Sequence, residues 1–308
     1  MSTPLDFLNA ASDVPSGLSL GDSLARQLQA SGRGQALLEC LCSTDAPAIF
    51  SPDPSLPPLR HIDIHSFVAS FAMPVSSSKA ALGPNDRVMV ALPTGPENAL
   101  ALIAVATYHT CAPVNASCTG AELREDAIRL NTKTVVTTLD SVDRLELRRL
   151  RDEVGCDIVI LERRNQNCPG IFDLFILDEE DALVPRRFST PSIPHTLDDQ
   201  SLVLHTSGTS GKKKVVPYSL RSLIIGTWAV VLSWQLSPAD VNSEFHCHLL
   251  HHWVLIATLS VNMMPLFHVG GIVRNLLAPV LSGGSTIVCS GFDPIKFWEL
   301  TTRLKATW

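Results

Sequence analysis

Residues 202–215 read L-V-L-H-T-S-G-T-S-G-K-K-K-V, a short apolar run that passes directly into glycines, hydroxyls and lysines. The run over 202–205 fits a buried strand. Beyond it the backbone is rich in N–H donors. Gly208 and Gly211 allow positive φ and close approach to a ligand, and successive amides in such turns make anion-binding concavities. Thr206, Ser207, Thr209 and Ser210 add hydroxyls, and Lys212, Lys213 and Lys214 add charge-assisted contacts to phosphate. The alternative is a plain surface loop of small residues; the position directly after a strand favours phosphate. A Walker A loop is excluded, because it needs G-x-x-x-x-G-K-[ST]. Only two residues separate Gly208 from Gly211, and Lys213 stands where Ser or Thr is required. G-x-G-x-x-G fails as well.

Outward from this loop, strand and helix patterns alternate. Residues 87–92 (RVMVAL), 134–138 (TVVTT), 157–161, 171–177 and 285–289 (STIVC) read as strands. Residues 97–109, 120–130 (GAELREDAIRL), 219–234 and 294–306 read as helices, two of them with Pro near the start. A short helix fits 21–31, and 51–59 (SPDPSLPPL) is a Pro-rich loop. Such alternation predicts an α/β fold, with parallel-sheet layers and flanking helices. Ligands then sit beyond the carboxyl ends of strands, where the 206–215 loop lies. No internal repeat is visible.

Composition narrows the class. With 308 residues the chain is long enough for about two domains at roughly 150 residues each. Apolar residues make up 45% and charged residues 18%, which excludes a disordered or coiled-coil chain. The net charge of −6 argues against a nucleic-acid binder. The 8 cysteines include no C-x-x-C pair and read as reduced thiols, which points to a cytoplasmic setting. No secretory signal appears, and the longest apolar stretches are too short or too polar to span a membrane.

The 206–215 loop resembles the phosphate-binding signature of adenylate-forming (AMP-binding) enzymes: acyl-CoA synthetases, luciferases and peptide-synthetase adenylation domains. Their pattern is approximately [YF]-T-S-G-[ST]-T-G-x-P-K-G. Thr206, Ser207, Gly208, Thr209, Gly211 and Lys214 match it, and Ser210 replaces Thr conservatively. His205 replaces the aromatic, Lys213 the proline and Val215 the last glycine. P-L-F-H-V-G-G at 265–271, L-S-G-G-S-T-I-V at 281–288 and D-R-V-M-V-A-L-P-T-G-P-E at 86–97 resemble further segments of the same family, in the same order. The resemblance implies the family's large N-terminal domain and two half-reactions. A carboxylate attacks the α-phosphorus of ATP, and a thiol of CoA or of a carrier protein's phosphopantetheine then takes the acyl group. It implies ATP with Mg2+ and a small carboxylic acid as substrates. It also places Thr206–Gly211, Lys212 and Lys214 at the phosphates and His268 near the carboxylate.

Two departures qualify it. The family's later segments, with a Glu for magnesium, an Asp for the ribose and a lysine-bearing small C-terminal domain, have no counterpart up to Trp308. The resemblance therefore implies residues 1–59 as leader and Pro-rich loop and 60–308 as a partial large domain. It also implies an open sheet edge and weak or absent turnover. The alternative is a non-catalytic nucleotide-binding or interaction protein. In addition, 24 residues, 241–264, stand between the S-P-A-D turn and P-L-F-H, where about ten are usual. The stretch 243–261 reads as an insertion or retained intron. It holds four of the ten histidines, but H-E-x-x-H is absent and no metal site is expected. The H-H-x-x-x-D acyltransferase pattern fails at Ile256, and the acidic run 177–182 reads as a solvated loop.

Overall fold

The computed structural model describes residues 36–76, 79–165, 167–185, 193–206, 213–234, 236 and 259–307. The chain begins with α1 (Leu37–Cys40), β1 (Pro47–Phe50), β2 (Leu59–Arg60) and α2 (His61–Ala69). It continues through β3 (Arg87–Val90), α3 (Pro96–Tyr108), β4 (Thr110–Pro113), α4 (Gly120–Leu130) and β5 (Thr134–Thr137). Next come α5 (Ser141–Arg144), α6 (Leu147–Val154), β6 (Asp157–Arg163), β7 (Phe172–Leu177) and β8 (Leu183–Pro185). β9 (Gln200–Thr206), β10 (Lys214–Ser219) and α7 (Leu220–Trp234) come after these. Last are β11 (Leu259–Asn262), a π-helix (Gly270–Leu277) running into α8 (Ala278–Leu281), β12 (Ser285–Val288) and α9 (Pro294–Leu304).

The strands form an eight-stranded sheet, β10-β9-β4-β3-β5-β6-β7-β8, and a four-stranded sheet, β11-β12-β1-β2. From β9 to β6 the large sheet is parallel, as the alternation predicts. Its two edges are antiparallel: β10 on β9, and β7 and β8 beyond β6. The cause is connection length. A parallel crossover needs a dozen or more residues, and 164–171, 178–182 and 207–213 are all too short for one.

Alternating side chains on the large sheet separate two cores. Val88, Val90, Leu202 and Leu204 face one, between the two sheets, which also takes in α3, α7, the π-helix and α8. Met89, Val135, Ile158 and Val203 face the other, covered by α4 and α6. The helix α3 is buried all round, as its apolar sequence requires. A third core, Leu259, Val261, Ile287 and Leu300, joins the outer face of the small sheet to α9. Near α9, Phe292, Ile295 and Trp298 stand well exposed.

One expectation changes, and two fall wholly or mostly outside the described residues. The leader assigned to residues 1–59 contains β1 and the first residue of β2, with Ile49 paired to Thr286 and Phe50 to Ile287, so its end belongs to the small sheet. Residues 1–35, with the expected helix 21–31, lie outside the described residues. The insertion expected over 243–261 also lies outside them, except for Leu259–Val261. These three begin β11, which runs on to Asn262 parallel to β12, so the sheet takes up the end of that stretch. Among the described residues no helix is long and apolar enough to cross a membrane.

Candidate active site

β9 brings the loop to the carboxyl end of the parallel strands. Leu202 and Leu204 enter one core and Val203 the other, while Thr206 emerges into solvent. The sequence pattern puts a loop and then a helix after this strand. The structure places β10 between them. Val215 pairs with His205 and Lys214 with Thr206, so the loop spans two rails of an antiparallel hairpin. Ser207, Gly208, Thr209, Ser210, Gly211 and Lys212 lie outside the described residues. Thr206 and Lys214 are described, face each other as the last rung and are both exposed. Among the described residues Lys214 has no ion-pair partner.

Lys213 is different. Its Nζ lies 2.6 Å from Oδ2 of Asp126 on α4. That carboxylate is buried and also meets Arg129 Nη1 at 3.3 Å and His205 Nε2 at 4.0 Å. The Nε2 of His205 is buried with no hydrogen-bond partner. Burial pushes His205 below its ordinary value, Asp126 pulls it up, and Lys213 and Arg129 push it down again. α4 is fixed by a capping box: Glu122 N donates to Thr119 Oγ1 at 3.2 Å, and Thr119 N donates to Glu122 Oε2 at 2.9 Å.

The second segment is P-L-F-H. His268 is exposed, its ring 4.6 Å from that of Phe267. Its amide donates to Pro265 O and its carbonyl accepts from Ile272 N, both at 3.1 Å. Asn262, fully buried at the end of β11, fixes this turn. Its Nδ2 donates to Gly271 O at 3.1 Å, and its Oδ1 accepts from Met264 N at 3.1 Å and from Asn275 Nδ2 at 3.4 Å. Gly271 is held so close that a Cβ would stand 2.4 Å from Pro265 O. α7 links the two segments: it continues β10 at one end, and at the other Trp234 lies under the Arg274 guanidinium at 5.7 Å. Asp126, Asn262 and Arg274 were not singled out by sequence. The one signal for Asp126 is indirect, the lysine at the proline position of the loop pattern.

The chain belongs to the AMP-binding enzyme family, which it matches over residues 71–308. A sulfoacetate–CoA ligase of Cupriavidus necator is 29% identical over 268 residues, covering 86% of this chain and 46% of that protein. An oxalate–CoA ligase of Saccharomyces cerevisiae is 31% identical over 110 residues, covering 36% of this chain and 17% of its own. Among solved structures, apo MatB from Rhodopseudomonas palustris superposes with a TM-score of 0.62 at 19% identity, over 87% of this chain and 48% of that one. A long-chain-fatty-acid-CoA ligase (FadD1) from Archaeoglobus fulgidus gives 0.64 at 16%, over 89% and 51%. At these identities the superpositions speak for the fold, which is the expected α/β fold. The chain spans about half the length of that sulfoacetate–CoA ligase and of these two solved structures.

Proposed function

We propose that this chain carries the phosphate-binding and acid-binding elements of an adenylate-forming acid–thiol ligase. The observation that carries the reading is the T-S-G-T-S-G-K stretch leaving the carboxyl end of β9, in a chain that belongs to this family. In the first half-reaction a carboxylate oxygen of the acid bonds to the α-phosphorus of ATP and pyrophosphate leaves. In the second, a thiol sulfur bonds to the acyl carbon and AMP leaves. Such chemistry depends on positioning and on neutralising charge. Thr206, Lys214 and the amides and hydroxyls of 207–212 hold the β- and γ-phosphates, and His268 orients the carboxylate. Lys213, already neutralised by Asp126, is not a phosphate ligand in this arrangement.

Magnesium is expected to enter bound to the nucleotide, as the resemblance to the family implies. The two curated relatives named above are sulfoacetate–CoA and oxalate–CoA ligases, which supports a small carboxylic acid as substrate and CoA over carrier-bound phosphopantetheine as acceptor. The seven described cysteines are unbridged, in keeping with a reducing, cytoplasmic compartment.

Calorimetric titration with Mg-ATP tests the reading. Saturable binding is expected, weakened about tenfold by Lys214→Ala, the size of one lost charge-assisted contact. Absence of saturable binding, or unchanged affinity in Lys214→Ala, refutes it. Binding without any acid-dependent pyrophosphate exchange would leave the chain a nucleotide binder.

A further inference from the structure

Asp126 sits in a stretch, L-R-E-D-A-I-R-L, that reads as an ordinary amphipathic helix. The structure gives it a position no motif announces. Its Oδ2 takes Lys213 Nζ at 2.6 Å and its Oδ1 faces His205 Nε2 at 4.0 Å. His205 immediately precedes Thr206 on one rail of the hairpin, and Lys213 immediately precedes Lys214 on the other. Thr206 and Lys214 are the rung on which the loop stands. One buried carboxylate on a neighbouring helix thus meets both rails at the foot of the loop, and Arg129 holds it from its own helix at 3.3 Å.

Lys213 stands where the family pattern has proline. A proline there fixes φ near −65° and stiffens the loop's exit through the backbone. Lysine does the opposite, with a long rotatable side chain and an unrestricted φ. We propose that Asp126 is a positioning residue for the phosphate loop, and that its ion pair with Lys213 supplies the restraint that proline supplies covalently. The inference rests on the proposed function only for the ligand; the restraint itself is a property of the unliganded chain.

The test uses Asp126→Asn, Lys213→Met, Lys213→Pro and the double variant Asp126→Asn/Lys213→Pro. Two quantities are read: amide hydrogen exchange at Thr206 and residues 214–216 without nucleotide, and the dissociation constant for Mg-ATP. β10 is an edge strand that already contains Pro217, so a second proline just before its start is tolerated. Asp126→Asn and Lys213→Met should each speed exchange and weaken ATP binding about tenfold, as expected for one charge-assisted contact. Lys213→Pro should make Asp126 dispensable, with the double variant returning to within about twofold of the starting chain in both quantities. A merely structural role for Asp126 would not be rescued by proline. Three results overturn the proposal: unchanged exchange in Asp126→Asn, no rescue in the double variant, or tighter ATP binding in Asp126→Asn. The last would mean that Lys213 is a phosphate ligand held in reserve. If the starting chain binds no ATP, the functional reading falls, and the exchange measurements still decide the restraint.

Discussion

Two glycines at the P-L-F-H turn and one on the facing helix α7 give a graded test of how tightly this region is built. At Gly271 a Cβ would lie 2.4 Å from Pro265 O and 3.0 Å from Met264 O, both backbone atoms that cannot rotate away. Relief requires the π-helix and the turn to part by roughly 1 Å, and overpacking of that kind costs about 1–3 kcal/mol. The same movement strains the Asn262 Nδ2 bond to Gly271 O, worth about 1 kcal/mol more. At Gly270 the nearest atoms are the Cε and Sδ of Met264, at 3.0 and 3.2 Å, the far end of a flexible side chain. Gly270→Ala should therefore be nearly neutral. At Gly226, inside α7, a Cβ meets only Val273 Cγ1 at 4.0 Å. Gly226→Ala should stabilise by about 0.5–1 kcal/mol, the usual gain for alanine in a helix interior. Urea unfolding followed by tryptophan fluorescence and circular dichroism reads all three. With a slope of about 2–3 kcal/mol/M, Gly271→Ala should lower the midpoint by on the order of 1 M, and Gly226→Ala should raise it by a few tenths. If Gly271→Ala unfolds at the same midpoint as the parent chain, the close approach of turn and π-helix is refuted.

Single contacts give further tests. Thr119→Ala removes the side-chain acceptor of the α4 capping box and should cost about 1 kcal/mol in the same urea assay; no change would mean that the box does not hold α4. Asn262→Leu leaves Met264 N and Gly271 O without their partner in a buried place, and should cost about 2–4 kcal/mol; a loss under about 1 kcal/mol would discount the network. Burial pushes His61 and His109 below their ordinary value of 6.5, so the folded chain takes up their protons less readily than the unfolded one. Stability from this source is present above pH 6.5 and is lost as pH falls below it. The urea midpoint should therefore drop between pH 7.5 and 5.5, and less so in His61→Gln/His109→Gln; a flat profile would contradict the burial of both rings.

Where local chemistry decides structure, the sequence was readable. G-A-E-L-R-E-D-A-I-R-L, with Thr119 ahead and Asn131 behind, delimits α4 because its caps lie in adjacent residues. L-V-L-H locates β9, since its side chains feed two cores in alternation. β10 was missed. K-V-V-P-Y-S carries a proline, and only the edge position of the strand makes that harmless. β1 was missed because P-A-I-F is short and its parallel partner β12 lies far along the chain. Of the candidate site, the loop and His268 are singled out by sequence pattern alone. Asp126 is not: its burial depends on Lys213 and His205 arriving from the far side of the sequence, and no local signal reports that.

Among the described residues β10 is the outermost strand of its sheet, and its ladder bonds go to β9. At its other end Leu220 opens α7 at once, with Leu220 N on Asp199 O at 2.9 Å and Arg221 N on Leu197 O at 2.8 Å. The hairpin is thus a cantilever, clamped at its root, where strand, helix and the 197–199 turn meet, and with no strand on its outer side among the described residues. The stiffness of a cantilever falls steeply with distance from the clamp. The rung of Thr206 and Lys214 is therefore the most compliant in the ladder, and Tyr218 and Ser219 the least. Any load carried by that rung meets the least resistance there. The Lys213–Asp126 contact is a prop under that free end, the place where one restraint changes the bending most.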